Sequence, residues 1–181
     1  MKILAIDPGN THSGWVIIDA KTHQPLQFGK SPNHEVLNHC YGDLNWDLAV
    51  IEMIASYGMA VGREVFDTCV WIGRYLQAIH DTTKGLPTLT YRREVKLHHC
   101  HTSKAKDANI TQALIDRYAY GQPNRGKGTK ASPGWFHGFH ADIWQAYALA
   151  THHADTLNAQ FTADTLADVQ PVVHAQETRT A

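Results

Sequence analysis

Residues 4–19, "LAIDPGNTHSGWVIID", carry the pattern from which the fold is read. An apolar run ends in Asp7, turns through Pro8, Gly9 and Asn10, and becomes apolar again. This spacing predicts a buried strand over residues 3–6, a Gly/Asn/Ser-rich turn, and a second strand over residues 14–19 that forms a hairpin with the first. A carboxylate at the tip of a buried strand is costly unless something occupies it. Asp7 therefore reads as a ligand for a metal ion, as a contact to a phosphate through a metal, or as the start of a turn that Asp-Pro-Gly favours by itself.

Outward from this stretch, residues 25–29 form a short third strand. After a polar stretch, "DLAVIEMI" (residues 47–54) gives a fourth strand with a carboxylate inside it, and "LPTLTY" (residues 86–91) a fifth. Over residues 61–80 the period changes: Val65, Cys69, Ile72, Leu76 and Ile79 fall on one face of a helix. "REVKLHHC" and "KDANITQALIDRYAY" read as helices, the second burying Ile110, Leu114 and Ile115, and "ADIWQAYALATHHA" as a final one. Residues 120–139 form a loop rich in Gly, Lys, Arg and aromatics. Strands first, then strands alternating with helices, give an α/β fold: a mixed sheet with helices packed on it. One domain is expected over residues 1–157. Residues 158–181, Ala/Thr/Asp/Gln-rich without a firm period, read as a frayed helix or mobile tail.

Composition narrows the function. The apolar share (43%) and charged share (18%) are those of a folded globular chain. With 16 Lys+Arg against 17 Asp+Glu, a nucleic-acid binder must gather its positive charge locally. Three cysteines without CxxC spacing exclude a disulfide framework and a zinc knuckle. The start "MKILAIDPG" is not a secretion signal, and no apolar run reaches membrane-spanning length, so no membrane partner and a reducing cytoplasm are expected. The 13 histidines are scattered and contain no HExxH, which reads as surface or partly buried histidine rather than zinc ligation.

Three acids stand out. Asp7 ends the first strand, Glu52 lies between Val50, Ile51, Met53 and Ile54, and Asp142 opens the last helix. If the first and fourth strands are neighbours, Asp7 and Glu52 meet at one end of the sheet, and the last helix need only cross that end to bring Asp142 in. Close carboxylates raise one another's pKa. Divalent cations relieve the repulsion, and hard oxygen ligands suit Mg²⁺ or Mn²⁺. Two such ions roughly 3.5–4 Å apart would activate water and stabilise a leaving oxygen in phosphodiester hydrolysis. Taken singly, Asp142 also reads as an acid favoured by the helix dipole.

The order of these acids resembles that of the RuvC-like Holliday-junction resolvases of the RNase H-like superfamily, especially phage-type members. "ILAIDPGNTHSGWVIID", "AVIEMIASYGMAVGREVFDTCVWIGRYLQAI", "KDANITQALIDRY" and "HADIWQAYALA" carry the resemblance, which runs from Met1 to about Ala154. It implies an RNase H-like mixed five-stranded sheet with helices on both faces. It also implies a metal-dependent endonuclease that resolves four-way or other branched DNA junctions in phage or bacterial recombination and repair. Asp7, Glu52 and Asp142 would be the catalytic and metal-holding residues for two Mg²⁺ or Mn²⁺ ions, in a homodimer matching the junction's two-fold symmetry. Many members carry two metal-site residues three apart on the last helix. Here the pattern places Asp142 at the first position and Gln145, which shares that helix face without a charge, at the second. His140 reads as a proton carrier or weak ligand, or as plain surface.

The DNA contacts follow the same resemblance. Arg92, Arg93 and Lys96 follow the fifth strand, and Lys104 and Lys106 lead into a helix whose free N–H groups suit a phosphate. Arg125, Lys127 and Lys130 lie beside Trp135 and Phe136, which suits backbone tracking and base stacking. Tyr57 is a candidate wedge at the junction centre. A solvated basic face and a Gly-rich surface loop are the plainer alternatives. Two rival functions stand beside the nuclease. One is an RNase H-like nucleic-acid-binding module weakened by Gln145. The other is an actin-like or sugar-kinase ATPase, whose first phosphate loop "IDPGNTHSG" resembles, although no second such motif is present.

Overall fold

The computed structural model describes residues 1–43, 45–56, 58 and 60–167. Three strands open the chain: β1 (Lys2–Asp7), β2 (His12–Asp19) and β3 (Pro25–Pro32). They are followed by α1 (Asn33–Asn38), β4 (Leu48–Met53), α2 (Arg63–Thr83) and β5 (Thr88–Tyr91). Three helices finish it: α3 (Arg92–Cys100), α4 (Asp107–Tyr118) and α5 (Ile143–Ala167). The strands form one mixed sheet in the order β3-β2-β1-β4-β5. The β1–β2 and β2–β3 pairs are antiparallel, while β4 runs parallel to both β1 and β5. A parallel partner needs a crossover, and α2 supplies it between β4 and β5.

The sheet is covered on both faces, which is why β1 and β4 read as unbroken apolar runs. Side chains alternate between the faces. Ile3, Ala5, Leu48 and Val50 pack with Val95, Ile110, Leu114 and the apolar side of α5. Leu4, Ile6, Ala49 and Ile51 pack with Val36 of α1 and with Ile72, Tyr75 and Ile79 of α2. Ala5 pairs with Val50 and Ile6 with Ile51, so Asp7 and Glu52 occupy the next rung, both on the α5 face. The expectation of two neighbouring strands carrying the acids to one edge describes this register.

Four details differ from the sequence reading. The polar stretch after β3 contains α1, which buries little besides Val36 and so shows no period. The buried stripe of α2 is Thr68, Ile72, Tyr75 and Ile79, and Cys69 is exposed. The stripe is rotated because the Tyr75 hydroxyl finds polar partners inside, as described below. In the loop after α4, Phe136 is fully buried against Phe139, Trp144 and Tyr147, and Trp135 stacks on Tyr118 at 5.4 Å. Phe136 is core, which corrects its reading as a stacking platform for bases, and Trp135 is half-buried against the same core. Finally, α5 continues as helix to Ala167, past the point where its apolar period fades. Residues 168–181 of the expected tail lie outside the described residues, as does Tyr57.

Candidate nuclease site

The quoted opening stretch builds one side of the site. At Gly9 an added Cβ would lie 2.3 Å from the His12 carbonyl oxygen, so the turn after Asp7 closes only on glycine. That turn is pinned from below. Asn33 Nδ2 donates to the Gly9 carbonyl at 2.9 Å, and the Gly9 N–H donates to Ser13 Oγ at 3.3 Å. The buried Ser13 hydroxyl donates in turn to Asn33 Oδ1 at 2.7 Å and lies 3.0 Å from the Tyr75 hydroxyl. A buried polar cluster with every member partnered is rigid. This one fixes the chain on either side of the Asp7 turn to α1 and α2.

Gly14 builds the other side. It pairs with Asp7 across the hairpin, and the segment carrying Asp142 lies directly on it. A Cβ at position 14 would come within 2.7 Å of the Asp142 carbonyl oxygen and 2.8 Å of its Cβ. Asp142 immediately precedes α5, and its carbonyl accepts the N–H groups of Gln145 and Ala146, both at 3.0 Å. Phe136, Phe139, Ile143 and Trp144 lock the start of α5 onto the sheet. The hairpin glycine and the aromatic loop together carry the third acid to the first two.

The electrostatics follow from this convergence. Burial raises the Asp7 carboxyl well above its usual pKa, and Glu52, Asp142 and Asp107 push it further, against the pull of Arg92. Glu52 is raised by burial, again opposed by Arg92. Asp7 has no hydrogen-bond or ion-pair partner among the described residues. The other two acids are held by cations of the chain: Lys30 Nζ lies 2.6 Å from Asp142 Oδ2, and Arg92 Nη1 lies 3.2 Å from Glu52 Oε2. Arg92 Nη2 also donates to Asp107 Oδ1 at 2.6 Å and to Gln145 Oε1. Burial works against the Arg92 charge, but Glu52 and Asp107 outweigh it and its pKa rises.

Among the described residues, no three His, Cys, Asp or Glu side chains stand close enough together to hold a metal ion. The donor set nevertheless fits one in kind. Hard carboxylate oxygens meet two cationic side chains that stand in for an ion, and the least-compensated acid, Asp7, carries a pKa raised first by burial and then by Glu52 and Asp142. Glu52 and Asp142 face Arg92 and Lys30, which is the physical reason that they do not close on a common point.

No protein-family model and no curated protein sequence matches the chain. Solved structures do. The Thermus thermophilus RuvC structure superposes with a TM-score of 0.62 at 14% identity, covering 88% of this chain and 97% of that one. T. thermophilus RuvC in complex with Holliday junction substrate gives 0.60 at 16% identity, covering 88% and 96%. The fold is RuvC-like.

On this RuvC-like frame the expected basic residues take different places. Arg92 sits among the acids. Exposed Arg93 and half-buried Lys96 line, with Arg92 and Ser103, a cavity of about 370 Å³. Lys104 and Lys106 are exposed just before α4, three residues and one residue from Asp107. Arg125, Lys127 and Lys130 lie beyond the far end of α4, a helix of 12 residues spanning about 18 Å. Among the described residues, no hydrogen bond or ion pair joins their side chains to the acids. His140 is exposed, with no side-chain hydrogen bond among the described residues. Sequence reading missed Lys30, Asp107 and the Ser13–Asn33–Tyr75 cluster. Asp107 had a signal, an acid directly after two lysines at a helix start. Lys30 had none, because only its register with Gly14 reveals it.

Proposed function

We propose that this chain is a divalent-cation-dependent endonuclease of the phage resolvase type, cutting four-way or other branched DNA by phosphodiester hydrolysis during recombination and DNA processing. One observation carries the reading: on a RuvC-like fold, β1 and β4 bring Asp7 and Glu52 to one rung at the end of the sheet, and Gly14 of β2 seats the segment carrying Asp142 beside them. That a RuvC of the same fold is solved with Holliday junction substrate supports branched DNA as the substrate class. Residues 1–157 are proposed as the nuclease unit.

Asp7, Glu52 and Asp142 would hold one or two Mg²⁺ or Mn²⁺ ions. A cation bound there supplies Lewis-acid polarisation of the phosphodiester and a more acidic water. Asp7, with its raised pKa, is the acid most ready to exchange its proton for a cation, which makes binding tighten with pH. Arg92 and Lys30, displaced from the acids, become free to meet phosphate oxygens. Arg93, Lys96, Lys104 and Lys106 hold the backbone beside the site, and Arg125, Lys127 and Lys130 track DNA further out. His140, exposed two residues before Asp142, would carry a proton. Phe66 and Val70 stand 61% and 57% exposed on the outer side of α2, and we assign that strip to a second copy in a homodimer. No helix among the described residues is long and apolar enough to cross a membrane.

Gln145 favours one other reading, a branched-DNA-binding module that does not cut, because it leaves a helix position facing the acids without charge. Cleavage of labelled four-way junctions and linear duplexes in Mg²⁺ or Mn²⁺ separates the two. Junction-selective cutting, lost in Asp7→Asn with affinity retained, is expected of the nuclease. Tight junction binding without cutting in either metal would favour the module. Wild-type cutting by Asp7→Asn would refute the site.

A further inference from the structure

With Gln145 neutral, Asp7, Glu52 and Asp142 bring three negative charges to the proposed site, where a pair of divalent ions would bring four positive ones. Asp107 lies beside Gln145. Arg92 Nη2 donates to Asp107 Oδ1 at 2.6 Å and to Gln145 Oε1 as well. Two oxygens sharing one donor nitrogen are separated by at most two hydrogen-bond lengths, about 6 Å. The same guanidinium meets Glu52 through Nη1 at 3.2 Å, so Arg92 ties Asp107 to an acid at the centre of the site. The Asp107 side chain is 64% exposed, free to move once Arg92 lets go. An acid at the first position of a helix is favoured by the dipole in any case. That preference does not account for a carboxylate paired with an arginine on a neighbouring helix, nor for Asp7 lying beside Glu52 with no hydrogen bond or ion pair among the described residues.

We propose that Asp107, at the start of α4, is a fourth acid of the metal site and supplies the charge that position 145 lacks. This rests on the nuclease reading of the same site. It gives the Gln145 departure a physical explanation: the acid is provided by a different helix, and Gln145 Oε1 helps to hold Arg92 while the site is empty of metal.

The test is Mn²⁺ binding to the full-length protein without DNA, by calorimetry or by the electron-paramagnetic signal of free Mn²⁺. Asp107→Asn should weaken binding at least about tenfold, the lower end for disturbing a metal site. Asp107→Glu should restore it, and Gln145→Glu should restore it in the Asp107→Asn background. Because Asp107→Asn also leaves Arg92 to Glu52 alone, the same comparison is made in an Arg92→Gln background. A ligand role predicts that Asp107→Asn still weakens Mn²⁺ binding there. If the effect vanishes without Arg92, or Asp107→Asn binds Mn²⁺ as the wild type does, the proposal is overturned. Should Asp107→Asn fail to fold by thermal melting, Asp107→Ser gives the same readout. Loss of the nuclease reading itself is distinguishable, since Asp7→Asn would then leave Mn²⁺ binding unchanged.

Discussion

Replacing Gly14 by alanine tests the geometry that brings Asp142 to Asp7. The added Cβ would lie 2.7 Å from the Asp142 carbonyl oxygen and 2.8 Å from its carbonyl carbon and Cβ. Carbon atoms settle at about 3.5–4.0 Å, so the shortfall is about 0.7–1.2 Å. Every atom met is backbone or Cβ, and no rotamer change relieves it. Either β2 shifts or the Asp142 segment lifts off the sheet by about an ångström. Overpacking of this kind costs about 1–3 kcal/mol. At about 2–4 °C for each kcal/mol in a chain of this size, melting should fall by about 2–12 °C. The larger effect is on chemistry, where a displacement of about 1 Å in a reacting constellation costs on the order of a hundredfold. The assay is the single-turnover rate of four-way-junction cleavage in Mn²⁺, run well below the variant's melting temperature, with junction affinity measured in EDTA. Slow cutting with affinity retained is the expected result. Wild-type cutting by Gly14→Ala would refute the claim that the Asp142 position above Gly14 matters to the site.

Three further outcomes follow from the same charges and spaces. Because the folded protein holds the Asp7 carboxyl above its usual 3.8, the native state binds more protons than the unfolded one between the two values, and stability falls as pH rises through that window. Asp7→Asn should therefore melt higher than wild type at pH 7, with the gain shrinking as pH drops toward 3.8; a lower melting temperature at neutral pH would contradict the raised carboxyl. Lys30→Ala removes a half-exposed ion pair worth about 0–1 kcal/mol, so stability should barely change. Mn²⁺ should bind it more tightly, since Lys30 no longer competes for Asp142, and weaker binding would count against the stand-in role. Gly73→Ala, in the middle of α2 with nothing within 4 Å of the new Cβ, should gain about 0.8–1.0 kcal/mol and melt about 2–4 °C higher. A fall in melting temperature would show that the position is not open.

Much of the architecture was legible because the signals are local. The apolar runs of β1 and β4, a glycine-bearing turn between β1 and β2, and the helical period of α4 are each written within a dozen residues. The convergence of Asp7 with Glu52 was legible too, once β1 and β4 were taken as neighbours. What escaped depends on partners distant in sequence. Tyr75 is fully buried where Leu76 is only half-buried, because Ser13 and Asn33 meet the Tyr75 hydroxyl inside. Phe136 looks like a surface aromatic in a basic loop until Phe139, Trp144 and Tyr147 surround it. Arg92 reads as one of a run of cations, and its pairing with the acids of β4 and α4 shows only once the fold brings those elements together. α1 was invisible because two buried side chains, polar Asn33 and apolar Val36, make no apolar period.

The most direct test is a crystal of the protein soaked in Mn²⁺, with anomalous difference density as the readout. A peak bounded by the carboxylates of Asp7, Glu52 and Asp142, with Arg92 and Lys30 withdrawn from them, is the predicted result. Saturating Mn²⁺ that leaves no peak there, with the Arg92–Glu52 and Lys30–Asp142 pairs intact, would contradict it.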